Sequence, residues 1–306
     1  MEDGYFTLMQ QLAPDLAQEI ELRALVLERI GALQPVGRRQ LAARLNLPER
    51  EVRTVATLLK KHGLITLDAA GMCLTPAAES VLPMARRFSR DLKGLTRLET
   101  ALAEQLGVDK VCVAAGNADT DPHVLGEVGR IAGTRLRGFL QTGCTLAVTG
   151  GSTIREVAFA VPQGTPMNVM VVPARGGMGG ALETQANTLA CEIARRLGGH
   201  HRMMHLPDHL DEQALQEMRK LIEIDETLAL LERADVVLHG VGRADDMTQR
   251  RQLPGPVSAE VLRKGAVAEA YGCYFDRRGR LVYSASTVAH NLGALKPDCA
   301  MIAVAG

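Results

Sequence analysis

Tryptophan is missing from this 306-residue chain, and aromatic residues make up only 3% of it. That thin supply argues against a row of stacking rings for single-stranded nucleic acid. No apolar run approaches the ~20 residues needed to cross a bilayer. The start, Met1-Glu2-Asp3, is acidic and lacks a secretion-signal pattern. A cytoplasmic protein without a membrane partner is expected. Charge of one sign is also lacking: 35 basic residues face 35 acidic ones, so only the local distribution of charge can name a partner. The six cysteines, Cys73, Cys112, Cys144, Cys191, Cys273 and Cys299, stand singly with no C-x-x-C pair. They read as reduced packing residues, not as a disulfide framework or a zinc site. His200, His201 and His205 cluster on a strand-like run and lack the i, i+4 spacing of a helical metal pair. G-x-S-x-G and Cys–His signatures are absent. No metal, cofactor or catalytic set is expected.

What is present begins with helical punctuation. Pro14-Asp15 opens a helix to about Ile30, with Leu16, Ile20, Ala24 and Leu27 on one stripe and Gly31 as its stop. A short helix carries Leu41, Ala42 and Leu45. After Leu47-Pro48, a third helix from Glu49 to His62 places Val52, Val55, Ala56 and Leu59 at i, i+3, i+4 and i+7 and ends at Gly63. Two short strands, "LITL" and "MCLT", flank the turn "DAAG". Helix, short helix, turn, helix and hairpin make a winged helix-turn-helix pattern over residues 1–75. Between Gly37 and His62 seven basic residues stand against Glu49 and Glu51 alone. Arg38, Arg50, Arg53, Thr54, Thr57, Lys60 and Lys61 are the candidate DNA contacts, the early ones for a major groove and the late ones for phosphates. The competing reading is a solvated face on a protein-interaction module.

Residues 76–107 read as a helical linker. Thr75-Pro76 supplies an N-cap with proline at the first helical position, and Pro83 is expected to break or restart the helix. Phe88, Leu92, Leu95, Leu98, Leu102 and Leu106 recur every three or four residues. That row suits a seam between two copies, making a homodimer or tetramer, or packing within its own domain.

From residue 108 to 306 strands alternate with helices. Strand-like runs are "KVCVAAG", "CTLAVTG", "NVMVVPA", "HRMMHLP", "DVVLHGV" and "CAMIAVAG"; helices are expected near 123–140, 153–160, 183–197, 211–232 and 257–270. This predicts an α/β class: a doubly wound, mostly parallel sheet with both faces covered and ligands at the carboxyl ends of its strands. Three loops there are candidates. In the first, Gly150 and Gly151 let the backbone approach a ligand, and Ser152 and Thr153 open a helix whose N-terminus favours an anion; Ser152 could equally be an ordinary N-cap. The second, "VVPARGGMGG", has four glycines between Gly176 and Gly180 and carries Arg175, with Gln185 and Asn187 following. The third, "LHGVGRADDMTQRRQ", carries Arg250 and Arg251, but Gly240-Val241-Gly242 lacks the rest of a dinucleotide fingerprint, so NAD is not expected. Two glycine loops on one sheet point to a phosphorylated ligand. Asp225, Glu226, Asp245 and Glu269 are acids with no evident pairing.

With "TGGST", "VPARGG", "QANTLA", "MTQRRQ", "GRRQLAARL", "GLTRLET", "VLHGVG" and "VAEAYGCYF" in this order, the chain resembles the SorC (sorbitol-operon) family of bacterial sugar-responsive repressors nearly end to end. The resemblance implies an effector domain similar to sugar-phosphate isomerases and deaminases that has become a sensor. It implies a repressor of glycolytic genes, with operator DNA as partner and fructose 1,6-bisphosphate or a related sugar phosphate as effector. Ser152 and Thr153 would meet one phosphate, Arg175 and Arg250 the other, and Gln185 and Glu269 the sugar hydroxyls. The family often has threonine at the position of Ser152; the hydroxyl is kept. In the family the segment after the last strand carries a lysine that meets a phosphate; this chain stops at Gly306, so a shortened form is expected. An isomerase or deaminase carrying a DNA-binding extension is the alternative.

Overall fold

A computed structural model describes residues 11–177, 181–207, 210, 212–284 and 295–306. It divides into two compact units, residues 1–115 and 116–306. Met178, Gly179 and Gly180 of the second candidate loop lie outside the described residues.

In the first unit, α1 (Pro14–Leu33) runs through Gly31 rather than ending there. A side chain at Gly31 would put its Cβ 2.8 Å from Leu74 Cδ1, so the glycine serves close packing, not termination. The stop is Gln34, which Pro35 pushes into extended backbone (ψ 140°). Of the expected stripe only Ala24 and Leu27 are buried, together with Ala17, Val26 and Ile30, while Leu16 is exposed. α2 (Arg38–Leu45) ends at Asn46 in left-handed conformation, and α3 (Glu49–Lys61) buries Val52, Val55, Ala56 and Leu59. β1 (Ile65–Leu67) and β2 (Met72–Leu74) pair antiparallel as the wing. Thr75 then caps α4 (Pro76–Leu92), accepting from the Ala78 amide and donating to the Gly63 carbonyl at 2.6 Å.

α4 continues through Pro83 without a break. The helix instead ends at Lys93, and Gly94, with φ 66°, starts α5 (Leu95–Leu106). The leucine row is therefore split over two helices, with Leu92 and Leu95 buried and Leu98 and Leu106 exposed. "KVCVAAG" forms no strand. Its Val113 backbone is satisfied by side chains, the amide donating to Glu99 at 2.6 Å and the carbonyl accepting from Arg90 at 2.8 Å, so it does not need a sheet ladder.

The second unit is a doubly wound sheet. α6 (Pro122–Phe139) precedes β3 (Thr145–Val148), α7 (Ser152–Ala160), β4 (Met170–Pro173), a single 3-10 turn (Leu182–Thr184), α8 (Ala186–Leu197) and β5 (His200–His201). α9 (Glu212–Met218), α10 (Ile222–Glu232), β6 (Val236–Arg243), α11 (Ala244–Arg250) and α12 (Gly255–Arg263) follow. β7 (Ala266–Ala270), β8 (Cys273–Asp276), β9 (Leu281–Ser284) and β10 (Ala300–Ala305) complete it. β5, β4, β3 and β6 lie side by side and parallel, and β10 adds to β6 in parallel. Alternate residues serve opposite faces. Leu146, Val148 and Leu238 pack with Leu136, Ile154, Leu189 and Ile193 of α6, α7 and α8. Ala147, Val172 and Val237 pack with Leu228 and Leu231 of α10.

Three expected elements change. The helix near 257–270 ends at Arg263; Gly265, at φ 86°, turns the chain and 266–270 is strand β7. β7, β8 and β9 form an antiparallel meander that joins the carboxyl end of β6 through Gly242 and Glu269. The helix at 211–232 is two helices, and "HRMMHLP" is a strand only at His200–His201. There Asn187 takes both backbone groups of Met204, at 2.9 and 3.1 Å, and ends the ladder. All six cysteines are free thiols; five are partly buried, but Cys191 is exposed and is no packing residue. No helix among the described residues is long and apolar enough to cross a membrane.

α6 lies on α7 through glycine. A Cβ at Gly129 would sit 2.6 Å from the Glu156 carbonyl carbon, and one at Gly133 would sit 2.9 Å from the Val161 amide. These partners are backbone and cannot rotate away. Gly129→Ala is expected to destabilise the unit by about 1–3 kcal/mol through overpacking, read as a lower midpoint in urea unfolding; an unchanged midpoint would show that the helices can separate freely.

Candidate functional site

Five of the seven candidate DNA contacts share one face of α3. In α3 the buried stripe leaves Arg50, Arg53, Thr54, Thr57 and Lys60 exposed on the opposite side, with Lys61 exposed at the helix end and Arg38 half-buried on α2. Thr54 and Thr57 donate their hydroxyl protons to the carbonyls of Arg50 and Arg53, at 3.0 and 2.8 Å. Their methyls and oxygen lone pairs remain for an outside partner. A recognition helix needs this division: one stripe holding the core, the other carrying donors, acceptors and positive charge.

The second site is built at the carboxyl ends of β4, β3 and β6. Parallel register sets Val148 beside Pro173 on one side and Leu238 on the other. The chain leaves β3 at Thr149, whose amide donates to the Leu238 carbonyl at 3.0 Å and whose hydroxyl accepts from the Gly240 amide at 3.3 Å. Gly150 must be glycine, because a Cβ there would lie 2.6 Å from the Thr184 carbonyl oxygen. The Gly151 amide is not left for a ligand: it donates to that same carbonyl at 2.9 Å. Gly151, at φ 123°, is the N-cap of α7 and provides no side-chain cap, so Ser152 is the first helical residue rather than the cap. The first intrahelical bond runs from Arg155 to Gly151, so the amides of Ser152, Thr153 and Ile154 have no acceptor within the helix. Those three amides and the hydroxyls of Ser152 and Thr153 lie together at the start of α7.

Arg175 follows β4 and is 3% exposed. Its Nη1 lies 3.4 Å from Oε1 of Glu269 on β7. Because β3 separates β4 from β6, and β7 joins β6 at its carboxyl end, this pair spans the carboxyl-end side of β3. The same Oε1 accepts from Arg251 Nη2 at 2.7 Å and from the Gly272 amide. Two guanidinium groups and one carboxylate are thus buried together. Arg250 is elsewhere: it is half-exposed and pairs with Asp246 at 2.8 Å. Gln185 is the N-cap of α8, next to the turn that receives Gly151. Asn187 is engaged with Met204 instead of facing the mouth. Of the acids without evident pairing, Asp245 holds Arg243 at 2.6 Å, which keeps its carboxyl below the usual range; Asp225 and Glu226 are in long surface pairs with Arg219 and Arg202. His200, His201 and His205 are exposed. Among the described residues no three His, Cys, Asp or Glu side chains are placed to hold a metal.

Residues 90–306 match the Sugar-bind family, a sugar-binding domain, and residues 20–88 match the N-terminal DNA-binding domain family CggR_N. The chain is 36% identical, over 98% of its length and 88% of the relative's, to the central glycolytic genes regulator of Priestia megaterium. It is 33% identical to the protein of that name from Bacillus subtilis, over 97% of this chain and 88% of the relative. A structure named as a SorC family transcriptional regulator from Enterococcus faecalis superimposes with TM-score 0.63 at 31% identity, over 69% of this chain and 86% of that one. The chain belongs to the SorC family. The full-length sorbitol operon regulator SorC from Klebsiella pneumoniae shares the fold, with TM-score 0.63 at 17% identity over 88% of this chain and 83% of that one. This SorC-family chain is thus a DNA-binding transcriptional regulator with a sugar-binding domain, not an enzyme.

Four residues near Glu269 and Arg175, namely His239, Tyr271, Gly272 and Tyr274, are missing from the sequence reading, and Arg251 is only grouped there with Arg250. Ala244 and Thr248 of α11 are buried, and Arg251 is one turn further along that stripe, whereas Arg250 is off it. The i, i+4, i+7 spacing was the available signal. His239 is buried on β6 with its ring edge-on to Tyr271 at 5.8 Å, and burial pulls its pKa below the usual 6.5. Tyr271, at φ 58°, and Gly272, at φ 88°, are the two turn residues between β7 and β8. Positive φ at both is what a tight hairpin of this hand requires, and a bulky residue adopts it only under strain. The tyrosine ring is buried beside Val237 and Ala174. The Tyr271 and Tyr274 hydroxyls are buried with no hydrogen-bond partner among the described residues, and burial pushes the Tyr274 phenol up to about 12.

Tyr274→Phe removes an unsatisfied buried hydroxyl and keeps the ring. Its unfolding midpoint is expected to equal or exceed that of the parent; a loss above about 1 kcal/mol would reveal a partner for that hydroxyl. His239 is neutral where buried, so the stability it contributes is present above the ordinary histidine range and is lost as pH falls through its lowered folded value. Unfolding measured from pH 7 toward acid should therefore decline less steeply for His239→Gln than for the parent; equal slopes would place His239 in water.

Proposed function

We propose that this protein represses glycolytic genes and that a phosphorylated sugar, fructose 1,6-bisphosphate in first place, binds the sheet edge and weakens its grip on operator DNA. The observation that carries this reading is the convergence at one sheet edge of an uncapped helix start with two hydroxyls, Ser152 and Thr153, and a buried guanidinium, Arg175. Amides and hydroxyls at a helix N-terminus suit one phosphate, and a guanidinium fork suits another. Two relatives named central glycolytic genes regulators, matched over nearly the whole chain, support the choice of genes. Gly150 and Gly151 shape the first phosphate turn, and Gln185 and Glu269 are proposed to meet sugar hydroxyls. Arg250 is proposed for the second phosphate, which requires it to exchange Asp246 for the ligand.

DNA is proposed to be read by Arg38, Arg50, Arg53, Thr54, Thr57, Lys60 and Lys61, with two copies on two half-sites. The exposed Leu98 and Leu106 of α5 are proposed for the seam between copies, as a dimer or tetramer. Coupling is reciprocal: if the sugar lowers operator affinity by some factor, the operator lowers sugar affinity by the same factor.

Calorimetric titration with fructose 1,6-bisphosphate, glucose 6-phosphate and dihydroxyacetone phosphate tests the effector. The bisphosphate should bind most tightly, and Arg250→Ala should weaken it about tenfold while changing a monophosphate less. Equal losses on both would remove Arg250 from the site. For the DNA face, Arg53→Ala should weaken operator binding and reduce the salt slope by about 1 with sugar affinity unchanged; an unchanged slope would turn that side chain away from the phosphates.

A further inference from the structure

We propose that the Arg90–Glu99 ion pair is the clasp through which effector binding is communicated to the DNA-binding helices, by its hold on the backbone of Val113. The proposal rests on the reading that a sugar phosphate weakens operator binding. Its ground is a closed ring of three contacts. Arg90, near the end of α4, donates from Nη2 to Glu99 Oε1 on α5 and from Nη1 to the Val113 carbonyl at 2.8 Å. The Val113 amide donates to the same Glu99 oxygen at 2.6 Å. One ion pair thus takes up both backbone groups of one residue, as a neighbouring strand would. The side chains are 29% and 16% exposed, so these charge-assisted bonds are shielded from much of the water that weakens a surface pair.

The ring's place in the chain gives it more than a local task. On its amino-terminal side it fastens the joint between α4 and α5, where Gly94 stands at φ 66° and Thr96 donates to Asp91 at 2.5 Å. α4 is tied to α1 by Arg86 and Glu28 at 2.8 Å. α1 shares one core with α3, the helix of the candidate DNA contacts, through Leu27, Ile30, Val52 and Val55. On its carboxyl-terminal side the chain is fixed again at Gly116, where φ is 118° and a Cβ would lie 2.5 Å from Val124 Cγ2 of α6. α6 in turn lies on α7 through Gly129 and Gly133, and α7 opens with Ser152 and Thr153. Only Ala114 and Ala115 stand between Val113 and Gly116, too little chain to absorb a movement of one end. Packed elements and hydrogen-bonded links of this kind can carry coupling between distant sites. A ligand that shifts α7 draws on α6, Gly116 and Val113, and with the ring closed α4 must follow. With the ring open, Val113 slides and the movement ends there.

The test uses the full chain and a DNA duplex that the parent selects from a random pool. Duplex binding is measured by fluorescence anisotropy with and without saturating fructose 1,6-bisphosphate, sugar binding by calorimetry, and assembly by sedimentation. In the parent the sugar should lower duplex affinity by a factor of about 5–150. In Glu99→Ala that factor should fall to within about twofold of 1, with sugar affinity, sugar-free duplex affinity and assembly as in the parent. Arg90→Met should lose as much, and Arg90→Met/Glu99→Ala no more than either alone, because the two side chains act as one unit. A role confined to stability would lower the melting temperature and leave the coupling factor at its parental value, which overturns the proposal. So does a coupling loss that comes only with weaker sugar binding or an altered assembly. Should Glu99→Ala fail to fold, Glu99→Gln decides: it keeps an acceptor for the Val113 amide but gives up the charge that holds Arg90. A reduced factor supports the clasp, and a parental one overturns it. A parent whose duplex affinity ignores all three sugar phosphates overturns the effector reading and the clasp with it, a failure seen before any variant is made.

Discussion

Glu269 is the constraint on which the effector unit depends. One carboxylate oxygen, almost fully buried, carries two arginines and a backbone amide. Removing one member of such a group costs about 3–5 kcal/mol, since a charge is left buried without compensation. The group also leaves one positive charge in excess among its three side chains. A surplus cation at the carboxyl ends of the strands makes that edge attractive to an anion. The sheet supplies the distance: Arg175 and Glu269 come from opposite sides of β3 and can meet only above its carboxyl end. The fold thus places charge where the topology leaves a crevice.

The same geometry accounts for the behaviour of the glycines. Gly150 and Gly151 read in isolation as free amides for a ligand. In the folded unit Gly151 is bound to the Thr184 carbonyl, and Gly150 lies against that carbonyl too closely for any side chain. Their task is to bring the 3-10 turn, and with it Gln185, against the start of α7. The amides left without an acceptor inside the helix are the next three, beside the hydroxyls of Ser152 and Thr153.

Where the pattern was periodic and the partner local, it was legible. The α3 stripe, the wing, the cap at Thr75 and the parallel strands β3, β4, β6 and β10 follow from spacing alone. The losses have common causes. "KVCVAAG" has strand composition, but Arg90 and Glu99 satisfy its backbone from a helix. Residues 266–270 continued a helical period on paper until Gly265 and the Tyr271-Gly272 turn made them a strand. Pro83 was tolerated inside α4, where propensity argued for a break. At the site, Arg250 and Arg251 are adjacent in sequence and alike in chemistry. The i, i+4, i+7 spacing of Ala244, Thr248 and Arg251 favours Arg251 as the inward one, but in a seven-residue helix it becomes a choice only once Ala244 and Thr248 are known to be buried. Glu269 could not be paired with Arg175 from sequence, because 94 positions and two crossovers separate them.

These corrections bear on how a sugar could release DNA. A phosphate proposed to engage Arg175 would compete with Glu269 for its guanidinium. Arg251 and the Gly272 amide keep the carboxylate satisfied meanwhile, and the antiparallel meander that carries it stays in register with β6 through Gly242. For binding to reach DNA, the ligand must favour an arrangement of this edge that the DNA-bound protein lacks; tight binding without such a preference would shift nothing.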